Sequence, residues 1–427
     1  MENKVREIYK DDFTEYLLCL ALDVGEGMLK NGAEVARVED TIERICHAYG
    51  AVHVEVFTII SMINAAVRMP DGSYSSQLRR VKQTTTNLDT LEGLNTLSRK
   101  ICAETPSLDE FDDMLHQLKH KRTYPYAVNI LSSSLAACMF CLFFGGKAVD
   151  SLITFLIGAG IFFINNYPSK RLNSMAKTVV SSFFATTVAG LAYMALSAMN
   201  PSLVLNVDAI IIGAIMLLVP GMMFGTAMRD LLCGDLIAGT LKILQAFIQT
   251  FMIGFGYMLS YAMLGDGLVP EVGNEPGDLF LIQLITSVFV SVTFAIVFKI
   301  NKRHLVNAGI CGILTYAAYY GIELITSSIF WAAFVSSALA ALFAETHARI
   351  EKAPTLVMLM PGIVPIVPGG YLYRSVRDLI RGSGATALDN LATAGIIALG
   401  MAAGVVALSI LYSIVHDFVA KSKKKPN

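Results

Sequence analysis

Charge is scarce along most of this chain. Only 16% of its 427 residues are Asp, Glu, Lys or Arg, against about 25% in soluble domains. The shortage is uneven: residues 1–122 carry many charges of both signs, whereas 126–416 include long stretches with almost none. The net charge of -1 averages two unlike regions and offers no basis for a nucleic-acid partner. The opening Met1–Tyr16 lacks a basic segment followed by an apolar run, so no export signal is expected and the first region is expected in the cytoplasm. Seven cysteines (Cys19, Cys46, Cys102, Cys138, Cys141, Cys233 and Cys311) form an odd, scattered set unlike a disulfide framework. The pair Cys138 and Cys141 lies inside an apolar run, where small apolar packing is a better reading than redox or metal chemistry.

Enzyme signatures are missing too. Gly25-Glu26-Gly27 followed by Gly32 has neither the spacing nor the preceding strand of a phosphate loop. Ser61 and Ser73 lack the sharp turn of a nucleophile elbow. Asp113, His116 and His120 share a helical face, but no HExxH accompanies them and a solvated helix surface is the simpler reading. The chain is therefore expected to need no metal, no cofactor and no catalytic residue, and the absence of a nucleotide motif argues against a primary pump.

What is present begins with a compact α/β pattern over residues 1–122. Helical periodicity runs over 12–31 and 33–49, split by Asn31-Gly32 as a C-cap. Strand signals cover 53–57, 59–68 and 74–81, with turn chemistry at Met69-Pro70-Asp71-Gly72-Ser73. Helices over 87–103 and 107–122 follow, Ser107 and Glu110 forming a capping box. From Tyr126 onward apolar segments of roughly 20 residues recur, each long enough to cross about 30 Å of hydrocarbon. Ten are expected, over 126–144, 148–166, 176–199, 207–225, 236–264, 278–299, 304–321, 326–345, 354–373 and 388–415. Lys170, Arg171 and Lys177, then Lys299, Lys302 and Arg303, then Arg349 and Lys352 follow the second, sixth and eighth. The loops after the third, fifth and seventh carry no Lys or Arg. Both termini are thus expected on the cytoplasmic side of an inner membrane. Arg374, Arg377 and Arg381 break this pattern.

The exception leads to an internal repeat. Pro220-Gly221 is followed by Arg229-Asp230-Leu231 and Gly234; Pro368-Gly369 is followed by Arg377-Asp378-Leu379 and Gly382, every position 148 residues further on. Six matches without a gap point to duplication. If each half holds five spans, an odd number, the halves lie inverted to one another. The expected fold is a membrane all-α bundle of about ten transmembrane helices in two five-helix inverted repeats, preceded by a small soluble α/β domain: 1–122, then 123–265, then 266–427.

Proline and glycine in apolar sequence free backbone groups, tolerated in hydrocarbon only where protein or a wet cavity receives them. Such interrupted spans in two halves are the best sequence pointer to a transport site; paired packing kinks are the alternative. Asp235, Gly239, Lys242, Gln245 and Gln249 fall on one helical face, matched by Ser383, Ala387, Asn390, Thr393 and Ile397 in the second half. The candidate pathway is Pro220, Gly221, Asp235, Lys242, Gln245, Gln249, Pro368, Gly369, Asn390 and Thr393, with Arg229–Asp230 and Arg377–Asp378 as gates or helix-end anchors. Against this, Lys242 can snorkel and amides can join helices. Asn165, Asn166 and Glu323, near span ends, read as interfacial. Gly400 and Gly404 form a GxxxG that serves packing.

Asn31-Gly32-Ala33-Glu34, then Arg37-Val38-Glu39-Asp40-Thr41, Arg44 and Gly50 resemble the N-terminal motif of the threonine/serine exporter family. The resemblance spans essentially the whole chain, and 280–415 looks like a module that some members carry as a separate protein. It implies export of small hydroxy amino acids driven by the proton gradient; split relatives resemble exporters of small dicarboxylates such as succinate. It also implies that Gly32, Glu34, Arg37, Glu39 and Asp40 matter. Glu34, Arg37 and Asp40 or Thr41 share a helix face, either docking the first region onto cytoplasmic loops or forming a solvated surface with internal ion pairs. The expected partners are a small-molecule substrate and the lipid bilayer, with a homo-oligomer left open. A membrane-anchored enzyme and a ligand sensor are the competing classes.

Overall fold

The computed structural model describes residues 12–82, 85–119, 124–167, 172–200, 204–221, 223, 226–227, 230–231, 234–265 and 279–423; of 413 and 416–423 it describes the backbone alone. Arg229, Cys233, Lys170, Arg171 and His120 from the sequence reading lie outside the described residues.

The N-terminal elements follow their signals. Helix α1 (Phe13–Lys30) starts at Asp12, whose carboxylate accepts from the amides of Thr14 and Glu15, and ends at Asn31, with Gly32 at φ +92°. Helix α2 is Val35–Ala48. Strands β1 (His53–Ile59), β2 (Met62–Arg68) and β3 (Tyr74–Arg80) form one antiparallel sheet in that order. Its buried face, including Ile63, Ala65 and Val67, packs against the apolar sides of α1 and α2. Helices α3 (Leu88–Glu104) and α4 (Leu108–Lys119) complete the layer, and Leu88, Phe111 and Leu115 are fully buried. The capping box forms: Ser107 N donates to Glu110 Oε2 at 3.1 Å, and Glu110 N donates to Ser107 Oγ at 3.4 Å.

Long apolar helices follow: α5 (Tyr126–Phe143), α6 (Ala148–Asn166), α7 (Ser174–Met199), the short α8 (Val207–Ile215), α9 (Leu236–Leu264), α10 (Phe280–Val297), α11 (Leu305–Thr326), α12 (Ile329–Glu351), the broken pair α13 (Leu356–Ile363) and α14 (Gly369–Ile380), and α15 (Gly384–Lys423). Among the described residues eight helices are long and apolar enough to cross a membrane, or nine if the pair across the 46° bend before Gly369 counts as one. The sequence expectation was ten, and its span over 207–225 includes residues outside the described set. Of the span expected over 207–225, the described residues form the nine-residue α8 and, after a turn at 216–218, helical backbone again at 221 and 223.

Small residues let these helices approach. Gly400 and Gly404 of α15 lie against the Phe330 and Phe334 carbonyls of α12, so the GxxxG is a packing seam. Cys141 of α5 is a buried free thiol against Gly146. Large side chains such as Leu152, Phe251, Leu281 and Trp331 face outward, as an apolar solvent requires.

The N-terminal layer rests on the α10–α11 connection. Leu88 N donates to Phe298 O and Asp89 N to Lys299 O, both at 3.0 Å. Buried Glu92 meets His304 at 3.3 Å and also pairs with Arg303. Arg99 donates to the Lys352 carbonyl at 3.5 Å. The basic loops 299–303 and 349–352 therefore lie at the end of the bundle that carries the N-terminal elements. Helix α3 does this docking. In the Glu34–Arg37–Asp40 row, Asp40 pairs with Arg44 at 2.7 Å, Thr41 donates to the Arg37 carbonyl, and Glu39 accepts from Thr58 N at 2.7 Å, while Glu34 stands close enough to Asp230 of the bundle to act on its charge. Burial pushes the Glu39 carboxyl up despite that hydrogen bond, with Asp235 nearby adding to the effect.

Candidate functional site

Pro220-Gly221 and Pro368-Gly369 break their helices in the same way. Gly221 N donates to Val219 O and Gly369 N donates to Val367 O, each at 2.8 Å. The two breaks also touch reciprocally. A Cβ at Gly221 would stand 3.0 Å from Val367 Cγ1, and one at Gly369 would stand 3.1 Å from Val219 Cγ2. Without side chains at these two positions, the apolar segments can cross at van der Waals distance.

Beyond each break the chain turns into a long helix. Gly234 and Gly382 hold φ +98° and +80°, the left-handed region that favours glycine. Asp235 N donates to Asp230 O at 2.9 Å, and Ser383 N donates to Asp378 O at 2.8 Å. The motif carboxylates are buried, Asp230 at 2% and Asp378 at 8% exposure. Each is held by a side chain twelve residues further on. Lys242 Nζ donates to Asp230 Oδ2 at 2.5 Å; Asn390 Nδ2 donates to Asp378 Oδ2 at 3.0 Å. Both pairs came from the sequence, although their joining did not. Lys242 points inward to Asp230 rather than snorkelling.

The turns stand at opposite ends of the bundle. Asp235 is close enough to Glu39 to act on its charge, so the first turn lies beside the N-terminal layer. Helix α15 starts after the second turn and runs about 42 Å from Gly384 to Tyr412 at the helical rise. There the Tyr412 ring lies 4.6 Å from the Arg349 guanidinium, back at the N-terminal end.

Arg377 Nε donates to Asp378 Oδ1 at 2.8 Å, and its guanidinium also pairs with Asp208 at the start of α8. Tyr373 Oη donates to the same Asp208 at 3.4 Å. Asp208 and Tyr373 were not singled out in the sequence. Asp208 could have been, as a lone carboxylate opening an apolar run, but acids are ordinary at helix N-termini. Gln249 Nε2 donates to Leu218 O at 2.8 Å, receiving a carbonyl beside the proline break. Gln245 is half-buried on the same helix. The Thr393 hydroxyl donates to Asp389 O at 2.8 Å within its own helix.

Two cavities approach the crossing from opposite ends. One, of about 340 Å³, is lined by Leu218, Pro220, Gln249, Phe298 and, from the N-terminal layer, Thr86. The other, of about 300 Å³, is lined by Gln283, Tyr316, Glu323, Pro368, Tyr371 and Arg374. Gln283 and Val297 place them at the two ends of α10, about 21 Å apart along the helix, and Val367 borders both. Their linings correspond at the 148-residue offset: Leu218 with Ile366, Val219 with Val367, Pro220 with Pro368, Gln249 with Ile397. A third space of about 490 Å³ at the N-terminal end includes Asn165 and Asn166. Glu323, Asn165 and Asn166 thus also line cavities at the ends of the bundle.

The family model described as "Putative threonine/serine exporter" matches residues 19–264, and a second, "Threonine/Serine exporter, ThrE", matches 283–411. The "Threonine/serine exporter" of Corynebacterium glutamicum is 22% identical over 420 residues, covering 95% of this chain and 83% of the relative. The "Probable threonine/serine exporter" of Mycobacterium tuberculosis is 22% identical over 391 residues, 86% of this chain and 70% of the relative. The "Probable succinate transporter subunit YjjP" of Klebsiella aerogenes is 25% identical over 241 residues, 56% of this chain and 90% of that subunit. No solved structure matches the chain. With one family model spanning more than half of the sequence and the other most of the remainder, this chain belongs to the threonine/serine exporter family.

Proposed function

We propose that this protein is a secondary transporter exporting small polar metabolites, threonine and serine foremost, by alternating access between the two cavities. In this reading residues 123–265 and 266–427 are two five-helix units of inverted topology, residues 1–122 form a cytosolic domain, and the chain sits in the inner membrane with both termini in the cytoplasm. The observation that carries the reading is the reciprocal contact of Gly221 with Val367 and Gly369 with Val219, set between cavities whose linings correspond by position. A two-fold relation between units makes i-to-j contacts recur as j-to-i contacts. In inverted units, rocking one against the other around such a crossing closes one vestibule as it opens the other.

Buried ionisable groups in a spanning bundle are costly and commonly serve ion or proton coupling. Asp230 with Lys242, and Asp378 with Arg377 and Asn390, are the groups that would answer a proton gradient. No catalytic role is assigned to any residue. The "Probable succinate transporter subunit YjjP" supports a second reading, export of small dicarboxylates.

Counterflow in proteoliposomes containing the purified chain tests both. Labelled threonine or serine should exchange against internal threonine, faster under an imposed pH gradient. Exchange of succinate alone supports the second reading, and exchange of none of the three rejects the transport proposal.

A further inference from the structure

The cavity at the end remote from the N-terminal layer holds one side chain of each charge, Glu323 on α11 and Arg374 on α14. Among the described residues neither side chain makes an ion pair or a hydrogen bond, although both act electrostatically on Tyr371 between them. Two opposite charges that line one cavity without satisfying each other leave both available to a third party. We propose that this cavity is a binding site for zwitterionic α-amino acids, with Arg374 receiving the carboxylate and Glu323 the ammonium. The proposal rests on the transport reading above and adds the chemical class of solute.

The rest of the wall fits a small polar molecule. Tyr316 Oη donates to Gln283 Oε1 at 2.5 Å, and Gln283 Nε2 donates to Phe143 O at 3.2 Å, so the amide is fixed from both sides. The Tyr320 ring stacks on Phe280 at 4.2 Å. Tyr319 and Tyr371 also border the space, offering hydroxyls to a side-chain hydroxyl. At about 300 Å³ the cavity is at the small end of ligand pockets. A dicarboxylate suits it poorly: it would bring two negative charges to a single guanidinium, beside the Glu323 carboxylate. Among the described residues the lining of the matching cavity at the N-terminal end carries no charged side chain.

The test uses the full chain in proteoliposomes, with labelled threonine as reporter and unlabelled threonine, threonine methyl ester, N-acetylthreonine and succinate as competitors. In the unaltered protein the ester and the N-acetyl compound should each compete about tenfold less well than threonine, as loss of one charge-assisted hydrogen bond implies. Arg374→Gln should erase the penalty on the ester alone, and Glu323→Gln the penalty on the N-acetyl compound alone. Arg374→Lys and Glu323→Asp, which keep the charge, should retain most of the discrimination and so separate recognition from general damage. Penalties unchanged in both glutamine variants, or succinate competing better than threonine, overturn the assignment while leaving transport intact. If the liposomes exchange no label, the transport reading falls by itself. Thermal unfolding in detergent then decides the cavity: stabilisation by threonine that both glutamine variants lose supports the site, and no stabilisation by any of the four compounds rejects it.

Discussion

The two proline–glycine motifs reach the same backbone by different side-chain chemistry. Both turn through a left-handed glycine, and both bring a residue twelve positions past the aspartate onto its carboxylate. In the first that residue is Lys242, an ion pair; in the second it is Asn390, a neutral donor, and Arg377 beside Asp378 carries the countercharge. Charge balance around a buried carboxylate is what the membrane interior demands, and the position that supplies it is free to move. The sharpest way to break this comparison is to remove Lys242. Lys242→Met leaves the 2%-exposed Asp230 without its cation and should cost about 3–5 kcal/mol. Asn390→Ala leaves Asp378 its arginine and should cost about 1–2 kcal/mol. Thermal unfolding of the two purified variants, side by side, reads the difference. Equal losses would mean that the charge is not divided as described, and restoration of Lys242→Met by Asp230→Asn would sharpen the assignment.

A smaller effect probes the crossing itself. Gly221→Ala places a methyl 3.0 Å from Val367, and Gly369→Ala places one 3.1 Å from Val219, with the Met216 sulfur also close. Overpacking of this kind costs about 1–3 kcal/mol. Trimming the opposite valine, Val367→Ala with the first, should recover most of that loss, whereas Val219→Ala with the second should recover only part, because the Met216 sulfur, closer to the added methyl than Val219, remains. Crossed combinations, Val219→Ala with Gly221→Ala or Val367→Ala with Gly369→Ala, should recover nothing. Melting temperatures of the four double variants measure whether the contact is reciprocal.

Much of this was legible in the chain because it rests on local chemistry. The three strands, the Ser107–Glu110 box and the Asn31-Gly32 exit followed from turn and cap residues, which act within a few positions. The 148-residue offset was a matter of counting, and Lys242 and Asn390 followed from helical period. Less visible were partners set by packing between distant segments. Arg377 reaches Asp208 across 169 positions, and no pattern in the sequence links them. Glu323 read as a span-end residue because its exposure depends on α14, which brings Arg374 and Tyr371 to the same cavity. The break in the segment expected over 207–225 has a local reason that hydropathy ignores: the helix stops at Ile215, and Pro220 stands in the gap before helical backbone resumes.

The docking of the N-terminal layer supplies the gentlest test, since one of its contacts with the bundle is a buried acid, Glu92. Burial alone would raise the Glu92 carboxyl, but hydrogen bonds from His304 and Arg303, with the charges they bring, hold it below the ordinary glutamate value. A carboxyl lowered on folding contributes stability that is present above its unfolded value, about 4.3, and is lost as pH falls through the folded value. Docking should therefore hold from neutral pH down to the ordinary glutamate range and loosen below it. Because Arg303 is half exposed, water screens its share, and the total should be about 1 kcal/mol. Glu92→Gln keeps the shape and removes the titration. Protease sensitivity of the 104–108 connection, followed from pH 7 down to pH 4, should rise at the acid end in the unaltered chain and stay flat in Glu92→Gln. A rise of the same size in both would place the acid response in some group other than Glu92 and leave α3 docking by its bonds to Phe298, Lys299, Asn301 and Lys352.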